Sequence, residues 1–138
     1  MLGVETPRPY MIIEERLFGL LRQKAYFVCE KIEAPNLLEC FYGAQFKHSD
    51  LAQIITKFRN LFQVMIDYKI SHGDMKASNF IFHNEQLIIL DLDGMQRHHN
   101  NRSFKKAIMK DFKRFMKNWQ DSEYEDAFKS LINEFDGV

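Results

Sequence analysis

Hydrophobic and polar positions follow two different periods along this chain. Pro7 and Pro9 favour an extended start over a helix. MIIEERL then reads as a strand, and AYFVCEKI, rich in β-branched and aromatic residues, as a second. The polar break from Arg22 to Lys24 predicts the turn of an antiparallel hairpin between them. EAPNLLECFYG follows as a connector, with Pro35 and Asn36 as turn residues. From Ser49 the period lengthens. Leu51, Ile54, Ile55, Phe58, Leu61, Phe62, Met65 and Ile66 recur at helical spacings, which predicts an amphipathic helix running to about Lys69 with Ser49 or Asp50 as its N-cap. NFIFHN and QLIILDL predict two short strands around a turn at Asn84 and Glu85. A second helix is expected from near Ser103, with Phe104, Ile108, Phe112, Phe115, Met116 and Trp119 on its buried stripe, and a third over Glu123 to Phe135.

Composition narrows the class. The chain has 138 residues, room for one domain with a real core, and 46% hydrophobic residues including 13 Phe place it among globular proteins. The formal net charge is +0, so no global field draws it to nucleic acid. Charge is segregated all the same: Arg97 to Lys117 is strongly basic and Asp121 to Asp136 mostly acidic. Cys29 and Cys40 lack metal-ligand spacing, and two cysteines make no disulfide framework, so buried reduced thiols in a cytoplasmic protein are expected. No apolar run reaches the length of a membrane span.

The chemistry sits in ISHGDMKASNFIFHNEQLIILDLDGM, Ile70 to Met95. A loop, HGDMKASN, falls between a buried helix and a hairpin. Asp74 and Lys76 lie two apart and point the same way in an extended segment. Asn79 ends the loop with an amide oxygen, and Asp91 follows twelve positions later at the far end of the hairpin, which returns it toward Asn79. A base, a cation and two hard oxygen ligands for Mg²⁺ are the parts that phosphoryl transfer needs, because its transition state requires positioning and charge neutralisation more than covalent help. Asp74 would orient a hydroxyl and accept its proton, Lys76 would offset charge on the moving phosphoryl group, and Asn79 and Asp91 would hold the metal on ATP. A capped turn explains one such residue, but not three together with Lys76. His72 reads as a structural histidine bonding backbone, and His83, His98 and His99 as solvated. The basic run reads as a solvated helix face, with anionic lipid A or the inner membrane surface as the alternative; there each basic residue adds about 1 kcal/mol.

The loop resembles the H-x-D-x-x-x-x-N catalytic loop of kinases, followed by their metal-binding Asp. Gly73 stands where protein kinases usually carry Arg, and an H-G-D loop is more similar to kinases of small molecules and sugars. TPRPYMIIEERLFGLLRQKAYFVCEKIEAPNLLECF and LIILDLDGM resemble the lipopolysaccharide core kinases, the Kdo and heptose kinase family. The likeness runs from about Thr6 to about Trp119. It implies an α+β, protein-kinase-like fold with a partial N-lobe and hinge over residues 1–35 and a mainly helical C-lobe over 36–138. It implies Cys29 as gatekeeper beside the adenine, the backbones of Glu30 and Ile32 as its hydrogen-bonding edge, and Asp111 as an anchor beneath the catalytic loop. The implied activity is ATP- and Mg²⁺-dependent phosphorylation of a lipopolysaccharide core or lipid A-linked sugar, at or near the inner membrane.

A kinase also carries a Gly-rich loop, a lysine on its third strand and a helix Glu. The six glycines form no G-x-G-x-x-G, and Lys24 is placed in the hairpin turn. Two explanations stay open: a truncated chain with an intact catalytic loop and weak activity, or a non-catalytic pseudokinase that binds only. A kinase of another small molecule, of aminoglycoside type, is the further alternative. Apolar surface is expected where further strands would pair.

Overall fold

The computed structural model describes residues 4–18, 21–43, 47–135 and 137. Gly19 and Asp136, which fall within stretches read above, lie outside them. The order is β1 (Pro9–Leu17), β2 (Leu21–Cys29), α1 (Leu37–Tyr42), α2 (His48–Asp67), β3 (Ile70–Ser71), β4 (Phe80–His83), β5 (Gln86–Ile89), β6 (Gln96–Arg97), α3 (Asn101–Met116) and α4 (Glu125–Asn133). The strands form three two-stranded antiparallel sheets, β1–β2, β3–β6 and β4–β5, so the architecture is mixed α+β.

α2 forms because its apolar residues share one face. Ile54, Phe58, Leu61, Phe62 and Met65 are buried, and Leu51, Ile55 and Ile66 pack against them half-buried. α3 contributes Phe104, Ile108, Phe112 and Phe115, and α4 contributes Phe128, Leu131 and Ile132. Aromatic rings fill the space between the helices. Phe58 meets Phe80 and Phe115 at centroid distances of 5.0 and 4.8 Å, and Trp119 stacks on Phe128 at 4.3 Å. β4 and β5 turn through Asn84 and Glu85, whose φ of 49° and 60° are the two positive values of a type I′ hairpin. Arg59 on α2 grips Glu134 with two hydrogen bonds of 2.7 and 2.8 Å, tying the end of α4 back across the bundle.

Among the described residues the first hairpin is tied to the rest at its base, where Glu5 bridges Ile88 and Asn36 bridges Ile81; Glu30 N–H donates to Arg8 O at 2.9 Å between residues that flank its own two strands. Its body stands in solvent, with Tyr10 63%, Ile12 67% and Phe27 58% exposed.

Five local expectations change. β2 begins at Leu21, so Arg22 to Lys24 belong to the strand and Lys24 pairs with Glu15; β-formers on both sides outweigh the polar side chains, which an exposed sheet tolerates. EAPNLLECFYG is not all connector: Asn36 and Glu39 form a reciprocal capping box that starts α1. α2 starts one residue earlier, with Lys47 as cap and no side-chain capping bond, so neither Ser49 nor Asp50 is the N-cap. α3 starts at Asn101, capped by Asn100, whose Oδ1 accepts from Ser103 N at 2.8 Å. Cys29 and Cys40 are free and half-buried rather than buried; burial, then Asp50, pushes the Cys40 thiol up.

Candidate active site

Residues 72–79 leave β3 as a loop whose alternate residues are inserted into the core. Met75 and Ala77 are fully buried and Asn79 is 5% exposed, while Asp74, Lys76 and Ser78 face outward, half-buried. This alternation fixes the outward set on one side. Asp74 O accepts from Lys76 N–H at 2.9 Å and from Asn79 Nδ2 at 2.9 Å, so the Asn79 amide nitrogen staples the loop closed.

The segment that follows β5 lies against this loop. Leu90 N–H donates to Asn79 O at 2.8 Å, and Asn79 Nδ2 lies 3.5 Å from Asp91 Oδ2, at the limit of a hydrogen bond. β3 pairs with β6, Ile70 with Arg97 and Ser71 with Gln96, which closes the other end. Between those ties the two backbones touch at glycines. A Cβ on Gly73 would fall 2.5 Å from Gly94 O, and Gly73 has φ +91°. This gives Gly73 a physical reason: an Arg there would separate the two loops. Asp91 itself has φ 54° and ψ 65°, a left-handed backbone unusual for a residue with a side chain and typical of sites held by their surroundings.

Asp111 supports the loop from below. It is 1% exposed, and its carboxylate accepts from His72 N–H at 2.6 Å and Gly73 N–H at 3.0 Å. Burial pushes its pKa up, and the two backbone donors oppose that rise. His72 is also 1% exposed, but its ring bonds no backbone: neither ring nitrogen has a partner among the described residues, and the ring packs 5.7 Å from Phe80. Its main-chain N–H, rather than its imidazole, makes the structural bond. His98 is not simply solvated, since its Nε2 lies 2.8 Å from Ser71 Oγ.

Asp74 faces two cations. Lys76 Nζ is 2.9 Å from Oδ2, and Arg114 Nε donates to Oδ1 at 3.1 Å. Lys76 first, then Arg114, holds the carboxyl below the usual carboxylate range. Asp74 is therefore ionised at neutral pH, with each oxygen engaged. Sequence reading grouped Arg114 with the solvated basic face. The readable signal was its place one helical turn beyond Asp111, which puts it at the edge of the face that meets the loop.

The donors at the loop suit Mg²⁺. The Asn79 atom nearest Asp91 is Nδ2, which binds no cation; a metal here would be held by Asn79 Oδ1 and the Asp91 carboxylate, hard oxygens of the kind magnesium accepts when water and phosphate complete its shell. Among the described residues no three His, Cys, Asp or Glu side chains converge as a metal centre. The sites implied for adenine lie apart in sequence, at the end of β2: Cys29 is half-buried, Glu30 exposed and Ile32 half-buried. An apolar cavity of about 250 Å³ lined by Met65, Ile70, Ile89, Leu92 and Met95 adjoins the segment after Asp91, but Asp74, Asn79 and Asp91 do not line it.

The family model described as "Lipopolysaccharide kinase (Kdo/WaaP) family" matches residues 1–131. No curated protein matches the chain.

Proposed function

The chain belongs to the lipopolysaccharide kinase (Kdo/WaaP) family, and from that premise we propose that it carries the phosphotransfer centre of an ATP-dependent kinase acting on a sugar hydroxyl of the lipopolysaccharide inner core, Kdo or heptose. The observation that carries the reading is the place of Asn79 between the two loops, its Nδ2 donating to the Asp74 main-chain carbonyl and lying 3.5 Å from Asp91 Oδ2, with Lys76 on the Asp74 carboxylate. Asp74 orients the acceptor hydroxyl and takes its proton. Lys76 leaves Asp74 to offset charge on the transferring group. Asn79 and Asp91 hold Mg²⁺, which supplies charge neutralisation at the phosphates. Residues 1–35 act as a partial N-lobe and hinge and 36–138 as a C-lobe of kinase-like fold. There Cys29 lies beside the adenine and the Glu30 and Ile32 backbones bond its edge. No helix among the described residues is long and apolar enough to cross a membrane; the acceptor is met at the cytoplasmic surface of the inner membrane.

The test is a thermal shift with Mg²⁺-ATP on the purified chain, with Asp91→Ala as control. Wild type is expected to gain Tm and Asp91→Ala to gain none. Equal behaviour in the two removes the reading. A second reading, a member that binds without catalysing, is favoured by the absence of G-x-G-x-x-G from the 138 residues. It predicts a Mg²⁺-ATP shift with no phosphate transferred to acceptor sugar.

A further inference from the structure

Arg114 is the one cation that α3 brings to the proposed base. α3 presents two distinct faces. Phe104, Ile108, Asp111, Phe112 and Phe115 are buried. Arg102, Lys106, Lys110, Lys113 and Lys117 recur at spacings of four and three, which places them in one stripe, and all are exposed. Among the described residues none of these five forms an ion pair. Arg114 sits at the margin between the faces, where the stripe reaches Asp74. It holds Oδ1 through Nε alone, and its side chain is 47% exposed. A guanidinium presents a planar fork of donors made for two-point contact with a carboxylate. One Nε contact to Asp74 leaves most of that capacity unused.

Each oxygen of Asp74 faces a cation, one Lys76 and one Arg114. A carboxylate paired in that way is a weaker acceptor for a hydroxyl proton than an unpaired one. Lys76 has a destination once phosphates arrive. Arg114 lies on the other oxygen and needs a different one.

We propose that Arg114 is the acceptor-anchoring residue: its guanidinium passes from Asp74 to the carboxylate of an acidic acceptor sugar, so that acceptor binding itself takes the cation off Oδ1 as the hydroxyl arrives. This rests on reading Asp74 as the base. The exchange replaces one carboxylate by another on the same guanidinium and leaves Asp74 without that cation, which makes it a stronger base. The adjoining lysine stripe draws a polyanionic glycan to the same edge. A neutral sugar would leave the guanidinium on Asp74, so the device also selects acidic acceptors.

The experiment titrates the chain, without nucleotide, with the acidic monosaccharide Kdo and with its methyl ester, read by NMR, for wild type, Arg114→Gln and Arg114→Lys. Arg114 is exposed, so its variants are expected to melt as wild type does. Wild type should bind Kdo, Arg114→Gln should bind it about tenfold or more weakly, as expected for loss of a charge-assisted pair, and Arg114→Lys should recover part. The ester should not distinguish wild type from Arg114→Gln. Equal Kdo binding by wild type and Arg114→Gln, equal binding of acid and ester, or no Kdo binding by wild type would each overturn the assignment. The Mg²⁺-ATP shift with its Asp91→Ala control is read separately, so failure of the phosphotransfer reading appears there and failure of the Arg114 assignment appears here.

Discussion

The β1–β2 hairpin and the paired loops around Gly73 and Gly94 are both antiparallel two-stranded units, and they are held in opposite ways. The hairpin has a long ladder, from Pro9↔Cys29 to Leu17↔Leu21, yet its apolar side chains stand in solvent. β3 and β6 share only two residue pairs, yet they are tied by Asp111 below, the glycine contact between, and Asn79 beside Asp91. Backbone pairing alone therefore does not rank the two regions. What separates them is burial and the number of independent restraints, since an isolated two-stranded hairpin is marginal in water. The rigid unit is the one that carries the candidate chemistry.

Truncations test that ranking most directly. Phe58→Ala, fully buried among Phe62, Phe80 and Phe115, is expected to cost about 3–5 kcal/mol in urea unfolding. Phe27→Ala, 58% exposed on β2, should stay within about 0.5 kcal/mol; comparable losses would mean the hairpin is buried in solution. Asp111→Ala comes next. It leaves His72 N–H and Gly73 N–H without their acceptor and should cost about 2–4 kcal/mol. Amide exchange at those two positions should rise more than exchange in β2. Gly73→Ala should cost about 2–3 kcal/mol through its positive φ and the Gly94 carbonyl, and on the reading above should abolish the Mg²⁺-ATP shift even where the fold survives. A Gly73→Ala protein as stable as wild type would show that the two loops do not touch.

The smallest effect is electrostatic. Asp74 titrates below its ordinary range in the folded chain because of Lys76 and then Arg114. The unfolded chain thus takes up the proton at higher pH. The stabilisation is complete above the usual carboxylate range and is lost as pH falls through the lowered folded value. Both sides of each pair are substantially exposed, so the contribution is small and screened by salt. Stability curves of wild type and Asp74→Asn should converge on acidification, and added salt should narrow the gap at neutral pH. A gap that widens toward acid would reverse the assignment of the shift.

Much of this arrangement is legible in the sequence, for reasons particular to each element. α2 and α3 declare themselves because a helix buried on one side must place apolar residues at three and four spacings, and Phe58, Phe62, Phe112 and Phe115 do so. The β4–β5 turn is readable from Asn84 because few residues accept a positive φ. α1 escapes because six residues are too few for a period, although Asn36 and Glu39 carry its capping signal. The hairpin turn is misplaced because polarity marks turns only where strands are otherwise buried, and here both faces of β2 meet solvent.

The candidate site divides in the same way. Asp74, Lys76, Asn79 and Asp91 are readable because loop chemistry at fixed spacing is local: an extended segment sets which side chains share a side, and a hairpin of known length returns its end to its start. By itself, then, the sequence determined α2, α3, α4, the β4–β5 hairpin and the polar loop that precedes it. Only the tertiary structure decided that Gly73 must be glycine, that the His72 ring nitrogens have no partner among the described residues, and that Arg114 leaves the basic stripe to reach Asp74. The first and the last of those facts depend on segments far apart in the chain, Gly73 with Gly94 and Asp74 with Arg114. Such contacts are set by how the buried faces of α2, α3 and the two loops pack, and packing across a fold leaves no period along the chain.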